Sequence, residues 1–107
     1  MENKMIKQVN TTLTLSDGKK VNCVLNMVSL FKLENARPEI YEQTSQGMNG
    51  ITKDKNHAAV DVLYGSYLCG NIDNIDSCMN KSEFIEKLPV YSDMMTVVGE
   101  LLAGKKK

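Results

Sequence analysis

Apolar and polar residues alternate in two short runs near the start of the chain, over positions 9–15 and 21–25. A period of two is typical of β-strands with one covered face, and it predicts strands near 8–16 and 20–26. The segment between them, Ser16-Asp17-Gly18-Lys19, contains an Asp-Gly pair, which favours a type I′ turn with positive φ at both central residues. The covered face would consist of Val9, Thr11, Leu13, Leu15, Val21, Cys23 and Leu25. The pattern therefore predicts an antiparallel hairpin that needs a partner for its apolar face.

Beyond residue 26 the apolar spacing changes to three and four, which is the spacing along one face of a helix. Prolines and glycines divide this part of the chain into separate helices. We predict helices over 27–35, 38–46, 55–70, 81–88 and 92–104, with loops over 46–55 and 71–80. The fold class is therefore α+β, a hairpin packed on four to five short helices. The chain is predicted to be a single domain, with the hairpin at 8–26, a helical part at 27–104 and a disordered tail at 105–107.

The first predicted helix has one wide apolar side. Val28, Leu30, Phe31 and Leu33 form it, and all four are expected to face inward. Asn26 immediately precedes the helix and is suited to cap its N-terminus.

The third predicted helix has the most regular pattern. Large apolar side chains recur at three- and four-residue spacing at Val60, Leu63, Tyr64, Tyr67 and Leu68. A small-residue edge lies beside them at Ala59, Val62, Ser66 and Cys69. Small side chains let a second helix approach closely, so we expect this helix to be the centre of the fold. Asp54 is its predicted cap, and Gly70 marks its end.

The last two helices also have predicted faces. Asn80 followed by Glu83 is typical of a helix N-terminus. The helix that begins there is expected to bury Phe84, Ile85 and Leu88. The final helix matches the amphipathic pattern at Met94, Val97, Val98, Leu101 and Leu102.

Charge and composition argue against two kinds of partner. The 107 residues carry 13 basic and 13 acidic side chains, so the formal net charge is zero, whereas a nucleic-acid-binding domain is normally basic. No apolar run reaches the roughly eighteen residues of a membrane-spanning helix, and no hydrophobic signal segment follows Met1. We therefore expect a cytoplasmic protein with no nucleic-acid or membrane partner.

The residues that most often carry chemistry have simple structural interpretations. Cys23, Cys69 and Cys78 form no CxxC pair, and we interpret them as small buried residues rather than redox or metal groups. His57 is the single histidine, and Asp61 follows one helical turn later. Since no nucleophile accompanies them in the pattern, we expect a solvated helix pair rather than a catalytic one.

Two short motifs are similar to ligand loops but lack required residues. Asp73, Asn74 and Asp76 suggest a calcium loop. Counted from Asp73, however, the loop lacks the oxygen ligand at the third position, the glycine at the sixth and the glutamate at the twelfth that an EF-hand requires. The segment 17–20 has a Gly-Lys step without the GxxxxGK[ST] pattern of a phosphate loop. We expect the acids to make turn and cap hydrogen bonds. We predict no catalytic, cofactor-binding or metal-binding residue.

The methionines suggest a further alternative. Most are expected to fill gaps in the core, since Met is flexible. Met94 and Met95 are adjacent, however, so one of them could belong to a groove for a partner helix. The methionines considered are Met27, Met48, Met79, Met94 and Met95.

Several segments follow one another in an order that is similar to a known family. A hairpin with a DG turn, a short L-x-K-L helix, a Tyr-Glu step, a V-x-x-L-Y-x-x-Y-L-C helix and an S-E-F-I-x-x-L-P helix occur in that order. The matching pieces are Leu13 to Asn26, Leu30 to Leu33, Tyr41-Glu42, Val60 to Cys69 and Met79 to Pro89. In this layout the chain resembles the small tail assembly chaperones of long-tailed phages and prophages of Gram-positive bacteria. The resemblance covers most of the chain and rests on structural motifs.

The resemblance implies a non-enzymatic protein. It would bind the long tape-measure protein while tail-tube subunits assemble around it in the bacterial cytoplasm, and it would be absent from the mature virion. It also implies a longer product made by ribosomal frameshifting, for which the lysine codons at 105–107 would supply the slippery run. Independently of the family, an exposed hairpin edge invites pairing with another chain, so a homo-oligomer is a further expectation.

Two other classes stay open from the residues alone. One is a small regulatory or toxin-antitoxin-like interaction module of a mobile genetic element. The other is an enzyme or ligand-binding domain, which is the least supported because no polar residues converge in the pattern. Neighbouring genes distinguish the chaperone from the regulatory module, since a chaperone gene should lie between a tail-tube gene and a very long tape-measure gene.

Overall fold

The computed structural model describes residues 9–49 and 55–103 and shows a two-stranded antiparallel hairpin followed by helices. The predicted α+β class is confirmed. The elements are β1 (Val9–Thr14), β2 (Lys20–Leu25), α1 (Met27–Ala36), α2 (Pro38–Met48), α3 (Lys55–Gly70), a 3₁₀ helix (Ile72–Ser77), α4 (Lys81–Glu86) and α5 (Tyr91–Ala103). The predictions for residue 8, for the loop at 50–54 with the Asp54 cap, for the stop at Gly104 and for the tail 105–107 lie outside the described residues, as does the burial of Val9.

The hairpin turn differs from the predicted type I′ turn. Gly18 has φ near +90°, and no non-glycine residue in the described ranges has positive φ. The Gly18 N–H donates to the Leu15 carbonyl at 2.9 Å, and the Leu15 N–H donates to the Lys19 carbonyl at 2.8 Å. These bonds define a three-residue loop with a bulge at the glycine. The Asp17 carboxylate accepts the Lys19 N–H at 3.0 Å and so stabilises this loop over the two-residue alternative.

The predicted covered face of the hairpin is confirmed at Leu13, Leu15, Val21, Cys23 and Leu25, all of which are buried. Leu13 pairs with Val21 and Thr11 with Cys23, so their side chains share the face that packs on the helices. Leu13, Val21 and Cys23 are buried in one cluster with the helical core. Val24 is buried as well, although alternation places it on the other face.

Helix α3 is the centre of the fold, as its pattern predicts. Every residue from Val62 to Cys69 is buried, and α3 contacts β2, α1, α2, α4 and α5. A helix that is covered on all sides in this way must be apolar or small around its whole circumference. The small-residue edge at Ala59, Val62, Ser66 and Cys69 meets that requirement, and Ser66 satisfies its hydroxyl by donating to the Leu63 carbonyl at 2.9 Å.

Two glycines of α3 allow unusually close contacts. A Cβ at Gly65 would overlap the side chain of Thr44 on α2, and a Cβ at Gly70 would lie 2.5 Å from the Asn22 carbonyl oxygen on β2. Thr44 is fully buried, and its hydroxyl donates to the Ile40 carbonyl one turn earlier at 2.8 Å, so the polar group is satisfied. Glycine at these positions therefore sets the separation of α3 from both α2 and β2.

The segment before α4 is held by two tyrosine hydroxyls from α3. Tyr64 donates to the Met79 carbonyl at 2.8 Å, and Tyr67 accepts the Met79 N–H at 3.0 Å. The two rings pack on Phe84, with centroid distances of 5.3 and 5.1 Å. Burial raises the pKa of both tyrosines, because it disfavours the charged phenolate.

Two predicted helix caps are confirmed. The Asn26 side chain accepts the Ser29 N–H at 2.8 Å, and the Asn80 side chain accepts the Glu83 N–H at 2.8 Å. Each bond satisfies one of the backbone donors that a helix N-terminus leaves without an intrahelical acceptor.

Some predicted boundaries and faces were wrong. Helix α2 continues to Met48 rather than ending near position 46, because Gly47 packs against α3 and is part of that contact. The predicted loop at 71–80 contains the 3₁₀ helix, and α4 ends at Glu86, two residues early.

Val28, Phe31 and Ile85 were expected to face inward, yet all three are exposed. Leu33 and Phe84 already fill the inward positions of those two helices, since both are completely buried.

The Gly65 contact gives a direct stability test. Replacing Gly65→Ala should reduce the free energy of unfolding by roughly 1–3 kcal/mol, because the new methyl group overlaps buried Thr44. The matched control is Gly99→Ala at an exposed position of α5, where a Cβ meets no atom within 4 Å. That change should increase stability by about 0.5–1 kcal/mol. Urea denaturation of both variants measures the difference, and equal effects at the two glycines would contradict the close packing of α2 on α3.

Candidate functional site

The first turn of helix α1 exposes large apolar side chains to solvent. Met27, Val28 and Phe31 are 61, 65 and 54% exposed, and their spacing places them on one side of the helix. We call these three side chains the α1 surface. Isolated exposed apolar residues are common, but three large ones within one turn form a contiguous patch of the kind found at protein interfaces.

The inner side of α1 holds the helix against the fold. Leu33 is completely buried, and Leu30 packs partly against the same core. At the C-terminal end, the Arg37 N–H donates to the Leu33 carbonyl at 2.7 Å, and the Arg37 guanidinium pairs with Asp76 at 2.7 Å. Both ionic side chains are exposed, so this pair contributes at most about 1 kcal/mol. The α1 surface is therefore presented by a helix that is anchored mainly through Leu33.

A second exposed apolar group lies at the junction of the last two helices. It comprises Ile85 of α4, Val90 in the connection and Tyr91 at the start of α5, and we call it the α4–α5 patch. The tip of the hairpin packs beside this junction, because the Ser16 N–H donates to the Lys87 carbonyl at 2.8 Å.

An ionic contact supports the same junction. Lys87 lies 3.5 Å from the Asp17 carboxylate. The pKa of Asp17 is lowered chiefly by the Lys19 backbone N–H and further by the charge of Lys87. Because Asp17 is exposed, the contact orients the hairpin tip more than it stabilises the fold.

Asp61 pairs with a lysine of α4, whereas the sequence predicted a helix pair with His57. Its carboxylate is bound by Lys81 at 2.6 Å, and the same ammonium donates to the Gln43 side chain at 2.8 Å. The Asp61 side chain is only 14% exposed, so the prediction of a solvated carboxylate was wrong. Asp61 instead connects α3 to α4 and α2, while His57 lies on the exposed first turn of α3. Local spacing could not predict this contact, because Lys81 is 20 positions from Asp61 and 38 positions from Gln43.

The acids of the 3₁₀ helix do not gather into a ligand loop. Asp73 and Asn74 are exposed, and Asp76 makes the ion pair with Arg37 rather than the predicted turn or cap bond. Within residues 9–49 and 55–103, no group of three His, Cys, Asp or Glu side chains is arranged to hold a metal ion. No helix in these ranges is long and apolar enough to cross a membrane.

A shallow polar hollow lies beside the hairpin. Its volume is about 290 Å³, and it is bounded by the outer face of the strands, the end of α3 and the 3₁₀ helix. Asparagine side chains form much of its wall, at positions 10, 22, 71 and 74. Asn71 is already bonded to the Tyr67 carbonyl at 2.9 Å. The hollow is smaller and more polar than a typical small-molecule pocket.

The cysteines are mostly buried, as predicted. Burial raises the pKa of the Cys23 thiol to about 11 and that of the Cys69 thiol to about 12. Cys78 lies half-buried in the connection between the 3₁₀ helix and α4, and burial raises its pKa as well. The expectation of a buried residue is therefore only partly right for Cys78.

Comparisons with known proteins identify no relative of this chain. The chain matches no family model, no curated protein and no solved structure. The interpretation of the α1 surface therefore depends on its own geometry.

Thiol labelling tests the burial of the cysteines. At pH 8 a small thiol reagent should modify Cys78 in the native protein, while Cys23 and Cys69 react only on unfolding because they are buried and stay protonated. Mass spectrometry of the labelled protein gives the number of modified thiols. Cys78→Ser should abolish labelling of the native protein, while Cys23 and Cys69 should still be labelled after unfolding. Rapid native labelling of Cys69 would contradict the packing of α3.

Proposed function

We propose that this protein is a non-enzymatic binding protein that acts as a tail assembly chaperone of a phage or prophage. It holds the tape-measure protein in the bacterial cytoplasm while subunits of the tail-tube protein, a second candidate partner, assemble around it, and it is not retained in the virion. The order of segments that resembles this family suggests the role, and the observation that supports binding is the α1 surface. Three large apolar side chains face solvent on a helix whose other side is already anchored in the core.

The chemistry of the α1 surface suits a helical partner. Met27 and Phe31 are four positions apart, and Val28 lies beside them, so together they offer a ridge along one side of α1. An amphipathic helix docks on such a ridge with its own residues at i, i+3, i+4 and i+7. Methionine adapts its shape to different neighbours, which suits a protein that binds many successive segments of one long helical partner.

The energies are consistent with reversible binding. Covering each of the three exposed side chains contributes roughly 1–2 kcal/mol, since each is already partly shielded by its own helix. Part of this gain is offset by the loss of translational and rotational freedom on association. A weak contact repeated along a long partner allows chaperone molecules to be released as tube subunits arrive.

Co-purification tests the proposal. The wild-type protein, co-expressed with the tape-measure protein encoded by the neighbouring long gene, should be retained on the tagged partner. Phe31→Glu should reduce retention by roughly tenfold or more, because it places a charge at the centre of the apolar ridge. The fold should be unaffected, since Phe31 is exposed.

Thr96→Glu is the matched control, because it introduces the same negative side chain in place of an uncharged one, at an exposed position of a different helix, α5. It should bind like the wild type. Failure of the wild-type protein to co-purify would contradict the chaperone function. Equal binding by wild type and Phe31→Glu would contradict the use of the α1 surface.

A further inference from the structure

The two outer edges of the hairpin differ. Among the described residues each strand pairs only with the other, so each has one edge that faces away. The edge of β2 is covered, because Gly70 of α3 approaches the Asn22 carbonyl and Val24 is buried. On β1, by contrast, Thr12 and Thr14 are exposed.

The hydrogen-bond pattern identifies the free backbone groups of β1. The Leu15 N–H donates across the hairpin to Lys19, and paired bonds recur at every second residue of an antiparallel ladder. Residues 13, 11 and 9 therefore face β2, whereas the N–H and C=O groups of Asn10, Thr12 and Thr14 point outward. The position of the Asn22 carbonyl agrees with this assignment, since Asn22 pairs with Thr12 and its carbonyl points outward towards α3.

Nothing in the composition of β1 protects this edge. Its sequence, VNTTLT, contains no charged residue and no proline, and its six residues pair with β2 without a bulge. Lysine, proline and bulges are the usual means by which proteins prevent edge-to-edge pairing. Within residues 9–49 and 55–103, no hydrogen bond to another element uses the backbone of Asn10, Thr12 or Thr14.

We propose that two copies of this chain pair through β1 about a two-fold axis at Thr12, which forms a four-stranded antiparallel sheet. In this register Thr12 lies opposite Thr12 of the second copy, and Asn10 lies opposite Thr14. All three outward-facing residues of each strand then exchange both backbone bonds with the opposite strand. The side chains that meet are uncharged and can hydrogen-bond to one another.

A second copy fits this edge because the strand is its own complement. Rotation about Thr12 brings each outward donor of one strand opposite an acceptor of the other, and the side chains of the three facing positions are uncharged. The contact is isologous and closes at two subunits. It leaves the α1 surface outside the strand interface, so the dimer and the chaperone function can be tested separately.

Thr12→Pro tests the strand pairing. Proline removes the N–H that points outward at the axis but no bond within the hairpin, which is the position where an edge strand tolerates proline. The wild-type protein should sediment as a dimer, and Thr12→Pro should raise the dissociation constant roughly tenfold to a hundredfold, because the dimer loses one backbone bond from each copy. Thr12→Val keeps the N–H and should remain dimeric. Circular dichroism confirms that the variants are folded.

Charge complementation identifies the partner as a second copy in this register. Thr12→Lys and Thr12→Glu should each weaken the homodimer, because like charges meet at the axis. An equimolar mixture should form the heterodimer, which native mass spectrometry detects. A monomeric wild-type protein, a dimer that withstands Thr12→Pro in folded form, or a mixture that stays monomeric would each overturn the proposal.

Discussion

The close contact of α3 with both α2 and β2 is the constraint on which the rest of the structure depends. Gly65 admits Thr44 of α2, and Gly70 admits the Asn22 carbonyl of β2. With β2 and α2 fixed against α3, the segment that joins them has little freedom. Helix α1 spans that connection and is bound through Leu33 and partly through Leu30, which leaves the α1 surface facing solvent. The exposure of the α1 surface is thus a consequence of the packing around α3.

The polar contacts of α3 complete this arrangement. Helix α4 has only six residues and buries one large side chain, Phe84. It is nevertheless held at its start, because the Tyr64 and Tyr67 hydroxyls bind Met79 and the Asp61 carboxylate binds Lys81. Paired and partly buried groups of this kind specify a geometry more than they add stability. They position α4 so that the tip of the hairpin can bind at Lys87.

Local patterns predicted much of the fold because they are local in origin. The alternation on β1 and β2, the caps at Asn26 and Asn80, and the regular spacing on α3 each depend on residues within a few positions of one another. The turn type was wrong because Asp-Gly suits both a two-residue and a three-residue loop, and the choice depends on the cross-strand register.

The candidate site could not be predicted in the same way. Hydrophobic spacing identifies an apolar side of a helix but does not say whether core or solvent covers it, so Val28 and Phe31 were assigned to the core. Asp61 was misjudged for a related reason, since its partner Lys81 belongs to another helix. Both errors concern contacts between elements that are distant in sequence. The family resemblance suggested a function but not the surface that would carry it out.

The central claim is that a fold organised around α3 presents the α1 surface to a helical partner. Hydrogen–deuterium exchange of the protein, alone and bound to the tape-measure protein, tests it most directly. The account predicts that the amides of α3 between Val62 and Cys69 exchange slowest in the free protein, and that α1 gains the largest protection in the complex. Protection confined to other elements, with α1 unchanged, would contradict it.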